Sequence, residues 1–130
     1  MESCKDDLEA QVCPDWLRDA RCRVRGLAKL NQGWDSYEAA PPSAVAIHKS
    51  EDALAALALM DYAPHRVAAS IEGGIALSWR ENDLDANIEF FNTGESLMEI
   101  PDPDGAPLIV DVDAIGLSAA LERIRERMGG

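Results

Sequence analysis

Val67-Ala-Ala-Ser-Ile-Glu-Gly-Gly-Ile-Ala-Leu-Ser-Trp79 is the stretch on which the reading of the fold turns. Val67, Ala69 and Ile71 alternate with small or polar residues, Glu72-Gly73-Gly74 supplies a turn, and Ile75, Leu77 and Trp79 resume the alternation. Successive side chains of a strand point to opposite faces. A period of two on both sides of Gly-Gly therefore predicts a β-hairpin with one buried face.

The same period continues downstream. Ala86, Ile88 and Phe90 alternate around Glu89, Asn92-Thr93-Gly94 marks a turn, and a further strand is expected over 95–100. Pro101-Asp-Pro-Asp-Gly105 reads as another turn, and 108–112 as a short edge strand or an extended lead-in. Asp113 is expected to cap a last helix whose Leu117, Leu121, Ile124 and Met128 form an apolar seam.

Upstream the period is helical. Trp16, Leu17, Ala20, Val24, Leu27 and Ala28 recur at three- and four-residue steps after Pro14, predicting a helix that reaches about Leu30 before Asn31-Gln32-Gly33. Pro41-Pro42 excludes regular structure, and Ser43 caps a second helix with Ala46, Ile47, Ser50, Leu54, Leu57 and Ala58 inward, closed by Pro64. The order is helix, helix, four or so antiparallel strands in a meander, helix. It predicts an α+β two-layer protein with helices on one sheet face.

The 130 residues suit one domain, with 1–13 as a loose acidic leader. Hydrophobic residues make up 47% of the chain, enough for a core. No run approaches the roughly 18 apolar residues of a membrane span, and the polar start is unlike a signal peptide. A cytoplasmic location is expected. Cys4, Cys13 and Cys22 are odd in number and nine residues apart, a pattern read as free thiols rather than a metal site.

Catalytic chemistry is hard to assemble from this chain. His48 falls on the polar side of a helix and His65 beside Pro64, both read as surface histidines, and no nucleophile triad, phosphate loop or metalloprotease motif is present. Asp102-Pro-Asp104-Gly105 reads as a tight turn, since a calcium loop needs glycine at its sixth position and glutamate at its twelfth. No enzyme, cofactor or metal is expected.

Charge is the informative quantity. The net charge of −12 disfavours direct binding to nucleic acid or anionic membrane and favours basic protein surfaces. Between Glu81 and Asp113 there are ten acidic residues and no Lys or Arg. Alternate strand positions stand about 6.6 Å apart, so Glu89 and Glu99 can share one dense anionic face. Glu81, Asp83, Asp85, Glu89, Glu95 and Glu99 are the candidate partner-binding residues. The bland reading is that they solvate a sheet and discourage edge pairing.

A second candidate interface is Trp34, Asp35 and Tyr37, whose aromatics either pin the crossing between the two helices or anchor a partner. Arg18, Arg21, Arg23, Arg25 and Lys29 form a basic stripe on the first helix. It is read as an intramolecular or homodimer-forming complement to the acids.

Gly33-Trp-Asp-Ser-Tyr-Glu-Ala-Ala-Pro-Pro-Ser43 and Ser70-Ile-Glu-Gly-Gly-Ile-Ala-Leu-Ser-Trp79 together resemble a group of small bacterial and phage-borne proteins that share a WDGYGA-P loop and a later dGgi-leW hairpin. The resemblance spans about residues 27 to 92, with Ser36 and Glu38 in place of the loop's usual glycines. It implies an α+β fold and a mobile-element setting, and no activity. In size and acidity the chain is also similar to anti-CRISPR proteins that act as DNA mimics. The expected function is a non-enzymatic inhibitor that blocks the basic, nucleic-acid-binding surface of a defence assembly such as a CRISPR effector complex. The alternative is an antitoxin or other partner-binding accessory protein that uses the first helix and the Trp34 loop.

Overall fold

Pro14 has a fixed φ and no N–H to lose, and it precedes the first helix, α1 (Asp15–Leu27). The computed structural model describes residues 14–31, 33–34 and 40–129. Leu17, Ala20 and Val24 are the buried stripe of α1. The helix ends three residues before the expected Leu30. Lys29 N–H turns back to Gly26 O and Leu30 N–H to Leu27 O, both at 3.1 Å, tightening the chain where Gly26 weakens helix propensity.

Helix α2 (Ala44–Met60) begins as expected at Ser43, whose Oγ accepts the Ala46 N–H at 3.3 Å. It stops before Pro64 because Asp61 turns left-handed at φ 56. Asp61 and Tyr62 then donate to Ala58 O and Leu57 O, satisfying the last carbonyls.

Five strands follow: β1 (Arg66–Ser70), β2 (Gly74–Glu81), β3 (Leu84–Phe91), β4 (Ser96–Asp102) and β5 (Gly105–Asp111). They pair antiparallel in chain order, as a meander should. The hairpin is therefore as read from the sequence, with one correction: Ile71 lies in the turn and is 69% exposed. β5 is a full strand of seven residues.

A single-turn helix, α3 (Val112–Ile115), and α4 (Leu117–Arg127) close the chain. The cap is Asp111 rather than Asp113: Asp111 Oδ1 accepts the Asp113 N–H at 3.0 Å. Gly116, at φ 94, breaks what would be one helix into two.

The α+β two-layer expectation holds. Ile75, Leu77, Trp79, Ala86, Ile88, Phe90, Met98 and Ile100 face the helices, where Leu54, Leu57, Leu121 and Ile124 are fully buried. The opposite sheet face is covered by none of the described helices. No helix among the described residues is long and apolar enough to cross a membrane.

Cys22 is disulfide-bonded, which corrects the free-thiol expectation for that residue. Bridging needs only that two cysteines fold close together, and linear spacing does not report it. Disulfides persist in oxidising compartments, so the cysteines no longer argue for the cytosol. Cys4, Cys13 and the expected leader 1–13 lie outside the described residues.

One part of the core is imperfect. Tyr62 stacks on Trp79 with ring centroids 5.9 Å apart and planes 5° apart. Tyr62 Oη and Trp79 Nε1 are both buried and find no hydrogen-bond partner among the described residues. Burial, and then the Glu81 charge, hold the Tyr62 phenol above its ordinary 10.0, while Arg125 pulls the other way.

Tyr62→Phe removes the orphaned hydroxyl and keeps the stack. It should raise stability by about 1 kcal/mol, or about 4 °C in a thermal melt at neutral pH. A raised phenol pKa adds stability that is complete below the unfolded value of 10.0 and is lost as pH climbs through the folded one. The advantage of Tyr62→Phe over wild type should therefore widen above about pH 10. A melt unchanged at both pH values would show that the hydroxyl is hydrated.

Candidate protein-binding surface

Strand register decides which acids meet. On β2 the odd positions Ile75, Leu77 and Trp79 are buried, so the even positions Ala76, Ser78 and Arg80 look away from the helices. Asn82 and Asp83, at φ 52 and 65, make a two-residue turn of the kind that matches strand twist. That turn sets Asp85 opposite Arg80, Asn87 opposite Ser78 and Glu89 opposite Ala76. Across β4, Asn87 pairs Glu99 and Glu89 pairs Leu97; across β5, Glu99 pairs Ile109 and Leu97 pairs Asp111.

Asp85, Glu89 and Glu99 therefore share the open face with Asp111. Glu81 does not: its odd position turns it to the helix side, where its charge acts on Tyr62. Glu95 sits in the turn between β3 and β4, at the far end of the sheet from Asp83. Glu89 is engaged inside the fold, since it accepts the Ser70 hydroxyl while Ser70 Oγ accepts the Glu72 N–H at 3.2 Å. Two cations also reach this face, because β1 and β2 carry Arg66 and Arg80 there. The open face as a whole is mixed in charge.

The anionic character concentrates at one end. Asp83, Asp85, Glu99 and Asp102 line a recess of about 300 Å³, together with Leu84, Asn87, Pro101, Gly105 and Pro107, and no Lys or Arg lines it. Two tight turns bring these carboxylates together. In the second, Asp102 Oδ1 accepts the Asp104 N–H at 3.0 Å and reverses the chain between β4 and β5. Two cations stand beside the recess: Arg80 Nε lies 3.6 Å from Asp85 Oδ1, in a pair that is well exposed and weak, and Arg127 donates to Pro101 O at 2.7 Å. No group of His, Cys, Asp and Glu among the described residues is arranged to hold a metal ion. Asp102 is the residue that sequence reasoning left out of the site. It was set aside as turn chemistry, and the turn is what delivers it.

Arg18, Arg23 and Arg25 of the basic stripe on α1 are engaged within the fold. Arg23 Nε donates to Val67 O at 2.6 Å, Arg25 lies 3.7 Å from Glu51, and Arg18 lies 2.7 Å from Asp15. None of these three partners belongs to the acidic stretch from Glu81 to Asp113.

Trp34 is half-buried and its indole N–H donates to Ala40 O at 3.2 Å, tying the ends of its loop together. Asp35 and Tyr37 lie outside the described residues.

A second recess, of about 260 Å³, is lined by Lys49, Asp52, Phe90, Ser96, Asp113 and Leu117 among others. The Lys49 ammonium donates to Gly94 O, to Asp113 Oδ1 at 3.3 Å and to Ser96 Oγ at 3.5 Å. Its three donors are thus occupied in joining α2 to the sheet and α3. His65 Nδ1 accepts the Arg80 N–H at 2.7 Å and extends the β1–β2 ladder, while His48 is exposed on α2.

No protein-family model, curated protein or solved structure matches this chain.

Proposed function

We propose that this is a non-enzymatic binding protein whose anionic recess receives the basic side chains of a protein surface built to grip nucleic acid. Occupying that surface, it acts as an inhibitor, and in a mobile-element setting its target is a defence assembly such as a CRISPR effector complex. The observation that carries this reading is the recess itself: Asp83, Asp85, Glu99 and Asp102 around one concavity without a lining cation. A low-dielectric wall with charges of one sign focuses the field on incoming cations and raises the rate of encounter.

Action in the cytosol requires the fold to hold when Cys22 is reduced. The burial of Leu17, Ala20 and Val24 and the Arg23 hydrogen bond to Val67 O hold α1 to the rest of the fold without involving Cys22.

The test is capture of purified CRISPR effector complexes by the full chain in the presence of reductant, with loss of their DNA binding as the second readout. The variant Asp83→Asn/Asp85→Asn/Glu99→Gln/Asp102→Asn changes the formal charge from −12 to −8. Four pair interactions of about 0.5 kcal/mol each should weaken capture about 30-fold, and wild-type capture should fall in high salt. Equal capture by variant and wild type, with both folded, would rule out the recess as the binding surface.

A further inference from the structure

The two edges of the sheet are treated differently. At β1, the carbonyl of Val67 that faces away from β2 accepts the Arg23 guanidinium, and α1 packs beside the strand. At β5 nothing comparable is seen among the described residues: six of its seven residues are exposed, Ile109 at 62%. An unprotected edge presents free N–H and C=O groups to any extended chain.

Which groups are free follows from the ladder. Phe91 N–H donates to Glu95 O at 2.9 Å, and in an antiparallel pair hydrogen-bonded positions alternate. Leu97 and Glu99 therefore bond toward β3, and Met98 and Ile100 toward β5 through Val110 and Leu108. Ile109 is left with its N–H and C=O pointing outward. Pro107, two residues earlier, fits the same side, since proline on an edge strand turns its donorless nitrogen to solvent.

The surroundings select the occupant. Glu99 and Asp111 flank Ile109 on the open face, Asp102 and Asp104 stand at one end of the strand, and Asp113 follows it at the other. Lys49 Nζ lies 3.3 Å from Asp113, but the excess of carboxylates still opposes a second copy of this chain and suits a cationic strand. We infer that β5 takes an extended, lysine- or arginine-bearing segment of a partner protein as a sixth strand, paired through the outward amide and carbonyl of Ile109, with its basic side chains against Glu99 and Asp111. This rests on the anionic-binding reading above and specifies how the partner is held.

The test uses the full chain and a synthetic octapeptide of alternating lysine and valine, followed by residue-resolved hydrogen exchange. At ten times the dissociation constant the Ile109 amide should exchange about tenfold more slowly. Ile109→Pro removes only an outward donor, so circular dichroism should be unchanged while binding falls and protection at β5 disappears. Slowed exchange around Asp83 and Asp85 with an unprotected β5 would overturn strand addition and leave the anionic recess standing. No perturbation anywhere would overturn both. Protection of Ile109 that grows with protein concentration in the absence of peptide would assign the edge to a second copy and overturn the inference.

Discussion

Trp79→Ala should lower the unfolding free energy by about 4 kcal/mol, a shift of about 15 °C in the melting midpoint. Trp79 is 1% exposed at the centre of the core, opposite Ala86 in the β2–β3 register and stacked on Tyr62. Truncation removes the largest fully buried side chain and leaves a cavity that the sheet cannot close, since β2 is paired on both sides by β1 and β3. Trp79→Phe keeps an aromatic ring on Tyr62 and loses an indole N–H that has no partner among the described residues, so it should cost about 1.5 kcal/mol. Urea denaturation checks both: the midpoint should fall at constant slope. A loss below about 1 kcal/mol for Trp79→Ala would mean that the indole is not packed as described.

Trp79 also shows why the fold was legible. It closes a run in which every second residue is apolar, and no helical period fits that run. The two-layer architecture followed from that switch of period and from the helical stripes on either side of it. The chain ends of the elements were less visible, for local reasons. Ile71 continues the alternation on paper, but the Gly73 N–H bonds to Ser70 O and closes the turn early. Asp113 looks like a cap, but Asp111 stands two residues before it with a carboxylate that reaches the Asp113 amide.

The site was only half legible. That 81–113 carries acids and no cations is a property of the chain, but which face each acid takes is a property of parity and turn length. Parity alone would have turned Glu81 away from Asp85, because Trp79 fixes the odd positions of β2 as buried. The same counting would have put Arg80 outward beside Asp85. The convergence of Asp83 with Glu99 and Asp102 needed the register of β3 against β4, which the alternation and the Asn92-Thr93-Gly94 turn left open. Asn92 was read as a plain turn residue. In the fold its side chain accepts the Ser43 N–H at 2.7 Å and donates to Pro41 O at 3.0 Å, joining the start of α2 to the sheet. Both contacts cross about fifty residues of chain, a separation at which local sequence carries no signal.

Gly74→Ala is the other change of large expected effect, about 3 kcal/mol of lost stability. Gly74 has φ 145, outside the range that a residue with a Cβ readily adopts, and a Cβ built there would lie 2.1 Å from Phe90 O and 2.9 Å from Phe91 Cα. Neither is the tip of a flexible side chain. Both belong to β3, and the Asn92 N–H to Gly73 O bond at 2.9 Å holds that strand against the turn, so relief requires breaking ladder bonds. Gly94→Ala is the control: Gly94 shares a positive φ, 99, but has nothing within 4 Å of the added carbon, and it should cost about 1 kcal/mol of backbone strain alone. Gly74 opens β2 at the end of the sheet opposite the recess, where it pairs with Phe91, about 20 Å along β3 from Asp85. Gly74→Ala should therefore shift the denaturation midpoint while the folded fraction binds the proposed basic partner with unchanged affinity. Loss of affinity in the folded variant would show instead that strain at one end of β3 reaches the carboxylates at the other, and that the recess depends on the rigidity of the whole strand.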